Sequence, residues 1–211
     1  MIKDVIRQTN AYDLLYKIRM DQSSRRVLQD WRENGQPIPP PDVVKHLTVK
    51  EYARRFRLNT LVETGTFYGE MIYAVKDIFK KIYSIELSEE LASYSQKRFG
   101  KYGNIKIIQG DSANVLSILL SSIDHPCLMW LDAHYSGGET ARGQLDTPIV
   151  QELEIIFRNP QNKSCVLIDD ARCFDGRNGY PVLQELESYV KQSRPDCIFD
   201  VAHDIIRIHP K

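Results

Sequence analysis

The sequence predicts a doubly wound α/β domain on a seven-stranded, mostly parallel sheet with one antiparallel strand, preceded by a helical N-terminal extension. Three observations carry this. From residue 60 onward, short apolar runs alternate with amphipathic stretches of about 10–13 residues, the pattern of βαβ units. The chain ends on two strand-like runs, 197–201 and 205–208, whose link is too short for a parallel crossover, so one strand must run against the rest. The first fifty residues show helical periodicity instead.

In order along the chain, Val5, Ile6, Leu14, Leu15 and Ile18 recur at helical spacing, and Val27, Leu28 and Trp31 repeat it up to Gly35, a C-terminal stop. Pro37, Pro39, Pro40 and Pro41 forbid a helix and mark a stiff connector. A second helix is expected after it, with Thr48-Val49-Lys50-Glu51 as a capping box ahead of Tyr52 and Phe56. The first strand spans 60–63, followed by a glycine-containing turn and a helix over 69–79. A strand at 81–86 leads to a helix capped by Ser88-Glu89-Glu90 and stopped at Gly100. Strand 105–108, helix 112–121 and strand 128–131 follow. Pro148 opens a helix reaching Phe157, then come a strand at 166–168, a helix at 181–191 and the final hairpin. The sequence therefore divides into a helical extension, 1–57, and a sheet domain, 58–211.

Composition narrows the function classes. At 211 residues with 42% hydrophobic and 27% charged residues, the chain has the make-up of an ordinary globular domain, which excludes disordered and fibrous architectures. No run approaches the ~18 apolar residues of a membrane helix, and the N-terminus carries no signal-peptide core, so a cytoplasmic protein without a membrane partner is expected. The 28 basic residues balance 28 acidic ones, which argues against nucleic acid as a bulk electrostatic partner. The balance is uneven: residues 1–60 hold 12 Lys and Arg against 7 Asp and Glu, either a face for an acidic partner or a solvated helix surface. The four cysteines show no C-x-x-C spacing, and Cys127 and Cys165 sit in apolar runs, as buried reduced thiols do. The serine-hydrolase elbow, the phosphate-binding loop and H-E-x-x-H are all absent.

In an open parallel sheet, ligands bind beyond the carboxyl ends of the strands. Here those ends carry Glu63-Thr64-Gly65-Thr66-Phe67-Tyr68-Gly69, Glu86, Gly110-Asp111-Ser112, Asp132-Ala133-His134 and Asp169-Asp170. Carboxylates crowded on one edge repel each other and need cations or hydrogen-bond donors to hold them there. Gly65 and Gly69 let the backbone approach a ligand and then start a helix. Phe67 breaks the G-x-G-x-x-G fingerprint, which disfavours a nicotinamide dinucleotide. Glu86, about 20 residues on at the end of the second strand, is placed to accept both hydroxyls of an adenosine ribose. Asp111, with Ser112, is placed to accept from an adenine amine.

These motifs resemble, over about residues 58–209, those of class I S-adenosylmethionine-dependent methyltransferases. The resemblance implies a Rossmann-like fold and S-adenosylmethionine as cofactor, held by Glu63, Thr64, Gly65, Thr66, Tyr68, Gly69, Glu86, Asp111, Ser112 and Asp132. The Phe67 variant is similar to the cation-dependent O-methyltransferases of the catechol and caffeoyl-CoA type, whose first motif commonly reads E-x-G-x-F-x-G. Asp132 with Asp169-Asp170 also resembles the D…DD metal set of macrocin-type sugar O-methyltransferases. Asp170 departs from the catechol pattern, which usually has Asn there, and this bears on substrate class more than on the metal.

From the residues themselves, Asp132, Asp169 and Asp170 would repel unless a divalent cation sits among them, and oxygen-only ligation suits Mg²⁺, Ca²⁺ or Mn²⁺. Such a metal would bind two adjacent hydroxyls and acidify one. The alternative is that Asp170 caps a loop and Arg172 pairs with one of the acids, without a metal. His134 is either a general base, a role it shares with Asp132, or a residue that orients its loop. The segment 135–147, with three glycines and Arg142, reads as a lid or substrate loop, and 175–180 as a second glycine-rich loop on the same edge.

The expectation is an S-adenosylmethionine-dependent O-methyltransferase, divalent-cation dependent, acting on a small-molecule hydroxyl of a vicinal diol, sugar or catechol-like compound. The alternatives are a catalytically inactive nucleoside-binding subunit and a metal-dependent hydroxylase or hydrolase on the same sheet. Residues 1–57 would serve as a cap over the site or as a homodimer face.

Overall fold

The computed structural model describes residues 10–132, 148–158 and 163–211. The chain divides into two compact units, Met1–Lys45 and His46–Lys211.

The first unit holds helix α1 (Asn10–Glu33), which ends as the sequence predicts. Gly35 takes φ +79°, a left-handed conformation that costs glycine nothing, and the Gln36 amide donates to the Trp31 carbonyl at 2.9 Å. The Trp31 indole N–H donates to the Pro37 carbonyl at 2.8 Å and pins the proline connector to the helix end. Helix α2 (Asp42–Arg55) leads into the second unit. It begins well ahead of the expected cap at Thr48. The Val44 amide donates to the Pro41 carbonyl at 2.8 Å and Asp42 places a carboxylate in the first turn, so the helix starts directly off the prolines. Thr48 is buried within it.

The second unit is built on seven strands: β1 (Thr60–Thr64), β2 (Lys81–Glu86), β3 (Ile105–Gln109), β4 (Leu128–Leu131), β5 (Cys165–Ile168), β6 (Cys197–Ala202) and β7 (Ile205–Pro210). They form one sheet in the order β3-β2-β1-β4-β5-β7-β6. The first five run parallel, while β7 is antiparallel to both β5 and β6. The β6–β7 hairpin turns on His203 and Asp204, both at positive φ (51° and 62°), the conformation of a type I′ turn.

Helices α3 (Glu70–Val75), α4 (Glu89–Phe99), α5 (Ser112–Ser121), α6 (Ile149–Phe157) and α7 (Leu183–Ser193) connect the strands. Helix α3 stops short of the expected Phe79. The Asn104 side chain donates to the carbonyls of Lys76 and Phe79, each at 3.0 Å, so the residues after Val75 find partners outside a helix. Strands β1, β4 and β5 are buried along their whole length, as a sheet covered on both faces requires. On one face Val62, Met129, Leu131 and Val166 pack with Leu116, Leu153 and Leu186; on the other Leu61, Trp130 and Leu167 pack with Tyr52, Ile72 and Phe99. All four cysteines are free, and burial pushes the Cys127 and Cys165 thiols up to about 11 and about 12. Among the described residues no helix is long and apolar enough to cross a membrane.

Candidate cofactor site

The strand order reverses direction at β1, which has β2 on one side and β4 on the other, and this switch point is where an open α/β sheet offers a crevice. The ladder runs one step past several carboxyl ends. Gly65 N donates to Ile85 O (2.9 Å), Gly110 N to Glu86 O (2.8 Å), Asp132 N to Thr64 O (3.0 Å) and Asp169 N to Leu131 O (3.1 Å). The residues expected to carry chemistry thus depart from one continuous edge.

On the β1–β2 side the loop closes onto carboxylates. Phe67 takes φ +48° and its amide donates to Glu86 Oε2 at 2.8 Å, while the Ser88 amide donates to Oε1 at 2.9 Å. Glu86 is therefore held in one orientation by a backbone donor on each oxygen, and each oxygen keeps a further lone pair for a ligand hydroxyl. Gly69 makes the closure possible. Its φ is +77°, and a Cβ there would lie 2.4 Å from Cε2 of Phe99. Arg98 holds the same loop, donating to the Tyr68 carbonyl and pairing with Glu70 at 2.7 Å, and Ser95 Oγ donates to the Phe67 carbonyl at 3.2 Å.

Below the loop, Thr66 Oγ1 and Ser84 Oγ lie 2.5 Å apart, and Ser84 donates to Glu63. Burial drives the Glu63 carboxyl up to about 8, against the Ser84 hydrogen bond and with smaller contributions from Asp132 and Glu86. On the β3 side, Asp111 is the N-cap of α5, its Oδ1 accepting from the Ala113 amide at 3.0 Å, and Ser112 is buried beside it.

A residue the sequence reading did not single out joins this edge. Glu152, on α6, is 1% exposed, and burial raises its carboxyl to about 7. The hydroxyls of Ser112 and Thr64 oppose that shift, and the charges of Asp111 and Asp132 add to it. Among the described residues, Glu152 Oε1 and Thr64 Oγ1 are buried without a hydrogen-bond partner. The signal in the sequence was the spacing: Glu152 falls at i+3 from Ile149 and i−4 from Ile156, on the apolar face of the stretch Ile149–Phe157. Ser84, a small hydroxyl residue between Tyr83 and Ile85 in strand β2, was equally legible in principle.

At the other end of the edge, Asp169 and Asp170 are engaged by their own segment. Asp169 Oδ1 accepts from the Asp170 amide at 2.9 Å, and Asp170 sits in the left-handed region at φ 56°. Its carboxylate is ion-paired to Arg172 Nη1 at 2.7 Å, and the same nitrogen bonds Asp204. Among the described residues no three His, Cys, Asp or Glu side chains group so as to hold a metal ion. As arranged here Asp170 does not fit a divalent cation, because Arg172 already serves it. His134, Arg142 and the rest of 133–147 lie outside the described residues. In the second glycine-rich loop, the Arg177 amide donates to Asp175 Oδ1 at 3.0 Å and Asp175 makes an antiparallel bridge with Val182.

No protein-family model matches this sequence, and no curated protein matches it. Solved structures do. A Podospora anserina methyltransferase bound to S-adenosylhomocysteine superposes with a TM-score of 0.59 at 15% identity, covering 93% of this chain and 95% of that one. The fold is a methyltransferase fold of the Rossmann-like type. The O-methyltransferase TomG from Streptomyces achromogenes, in complex with S-adenosylmethionine, is similar at a TM-score of 0.58 and 16% identity, covering 95% of this chain and 96% of its own. An O-methyltransferase from Bacillus cereus in complex with S-adenosylhomocysteine matches at 0.58 and 13%, covering 90% and 91%.

Proposed function

We propose that this protein is an S-adenosylmethionine-dependent O-methyltransferase acting on a hydroxyl of a small molecule. The observation that carries the reading is the Glu86 carboxylate at the switch point, fixed by the Phe67 and Ser88 amides at the position where a ribose is bound in this fold. The residues present fit the cofactor. Glu86 would accept the ribose hydroxyls and Asp111 the adenine amine, and the 65–69 backbone, which turns at Gly65 and Gly69, both at positive φ, would line the methionine end. When bound, S-adenosylmethionine supplies a methyl group made electrophilic by its sulfonium charge.

The chain's own contribution is placement, which can account for most of the barrier lowering in a displacement that needs no covalent help. Asp111, Asp132 and Glu86 favour a cationic ligand along the edge. Asp132 or His134 takes the proton of the acceptor hydroxyl. Acceptor choice we assign to residues 1–57 and the two glycine-rich loops, with a homodimer as the assembly to test, and sugars and catechol-like diols are the first acceptors to try. The divalent cation is left out of this reading, since Arg172 holds Asp170.

Calorimetric titration with S-adenosylmethionine and S-adenosylhomocysteine, with and without chelator, tests the proposal. Micromolar binding of both, and transfer of labelled methyl to a hydroxyl compound, is the expected result. Absence of binding by either would sink the reading, whereas binding without transfer to any hydroxyl acceptor would favour the inactive nucleoside-binding subunit.

A further inference from the structure

We propose that Arg172 is the resident counter-cation of the turn after β5, so that Asp170 anchors β5 to the β6–β7 hairpin instead of serving a divalent metal. The inference concerns the same sheet edge as the methyltransferase reading but does not rest on it.

Three carboxylates meet here, and all are buried: Asp169, Asp170 and Asp204 are 3%, 5% and 3% exposed. Buried carboxylates are costly unless paired and hydrogen-bonded. The structure meets that requirement from within. Arg172 Nη1 bonds Asp170 Oδ1 at 2.7 Å and Asp204 Oδ2 with the same nitrogen. The backbone adds to it, with Arg172 N donating to Asp204 Oδ1 and Ala171 N to the Asp204 carbonyl, both at 2.8 Å. Asp170 N donates to Asp169 Oδ1 at 2.9 Å. Each of the three acids therefore accepts at least one donor from the short segment 170–172.

The backbone conformations fit the same purpose. Asp170 and Asp204 both have positive φ, 56° and 62°, which aspartate tolerates better than most residues. One lies at the end of β5 and the other in the hairpin turn, so the guanidinium ties two segments far apart in sequence. A guanidinium stays charged at every accessible pH and is a planar fork suited to carboxylates. A divalent ion on Asp170 would have to displace it or sit against its positive charge. The two carboxylates raise the Arg172 pKa further, against its desolvation.

The test uses the full chain. Electron paramagnetic resonance of added Mn²⁺ measures ion binding, and thermal unfolding is followed for wild type, Asp170→Asn, Arg172→Met and the double variant. Wild type is expected to leave Mn²⁺ free at micromolar concentrations and to unfold at the same temperature with or without Mg²⁺, Ca²⁺ or Mn²⁺. Arg172→Met should lower the midpoint by about 5 °C, and the double variant should lose far less than the sum of the singles, because both remove one contact. If Arg172→Met does not fold, Arg172→Lys, which keeps the charge and loses the fork, should give an intermediate drop. Tight Mn²⁺ binding by wild type that disappears in Asp170→Asn would overturn the proposal, as would strictly additive losses. A thermal shift with S-adenosylhomocysteine on the same samples reports on the methyltransferase reading separately.

Discussion

The two halves of the carboxyl edge hold their acids by different means. On the β1–β3 half, backbone amides do it: Phe67 and Ser88 serve Glu86, and Ala113 serves Asp111. On the β5 half, a side-chain cation does it, with Arg172 shared between Asp170 and Asp204. Amides fix a carboxylate without cancelling its charge, so it stays available to hydroxyl donors and cationic ligands. A guanidinium offsets part of that charge and occupies the place on Asp170 that a further cation would take. A ligand-binding function belongs with the first arrangement and a structural one with the second.

The largest expected effect breaks or sustains that division. Glu86→Ala removes a charged acceptor from two amides and from the ribose, and should weaken S-adenosylhomocysteine binding by about 100-fold, roughly 3 kcal/mol, in calorimetric titration. Arg172→Met should leave that affinity within a few-fold while lowering stability. Equal losses from the two variants would erase the distinction.

Gly69→Ala sharpens the amide-built half. The added Cβ meets the Phe99 ring at 2.4 Å and the backbone is left-handed at φ +77°, so a cost of about 2 kcal/mol is expected. Urea unfolding should show it as a lower midpoint at unchanged slope. A stability equal to wild type would mean that the loop closes on α4 by some other route.

The amide-built half was also the legible half, for a physical reason. Its contacts are local or follow the sheet register: Ser88 caps α4, Asp111 caps α5, and Glu86 ends the strand paired to β1. Strand periodicity and the spacing from Gly65 to Glu86 report such relations directly. The β5 half depends on Arg172 meeting Asp204, a pair separated by a helix and a strand, and no local pattern encodes it. The sequence showed Arg172 two residues from Asp170 and so left a metal and an ion pair as alternatives; what it could not show was Asp204 sharing the same guanidinium. The start of α2 was misplaced for a related reason: Thr48 has the composition of a cap but is buried within a helix that begins at the prolines.

The smallest effect separates two buried carboxyls on opposite faces of β1. Glu63 has Ser84 as a donor and is raised to about 8, while Glu152 keeps an unpartnered oxygen and is raised to about 7, each from an ordinary glutamate value of 4.5. Because the folded values lie above the unfolded one, the native state binds the extra protons. The stability they bring is full below about pH 4.5 and is lost as pH rises, ending near pH 7 for Glu152 and near pH 8 for Glu63. Urea titrations at a series of pH values should show wild-type stability falling as pH rises through these windows, with the two groups differing by about 1.4 kcal/mol over the last pH unit. Glu152→Gln should remove part of the slope below about pH 7 and leave the fall between about 7 and 8 intact, whereas Glu63→Gln should remove that last segment. Parallel curves for the two variants would show that the faces of β1 do not differ as the Ser84 hydrogen bond and the unpartnered Glu152 oxygen indicate.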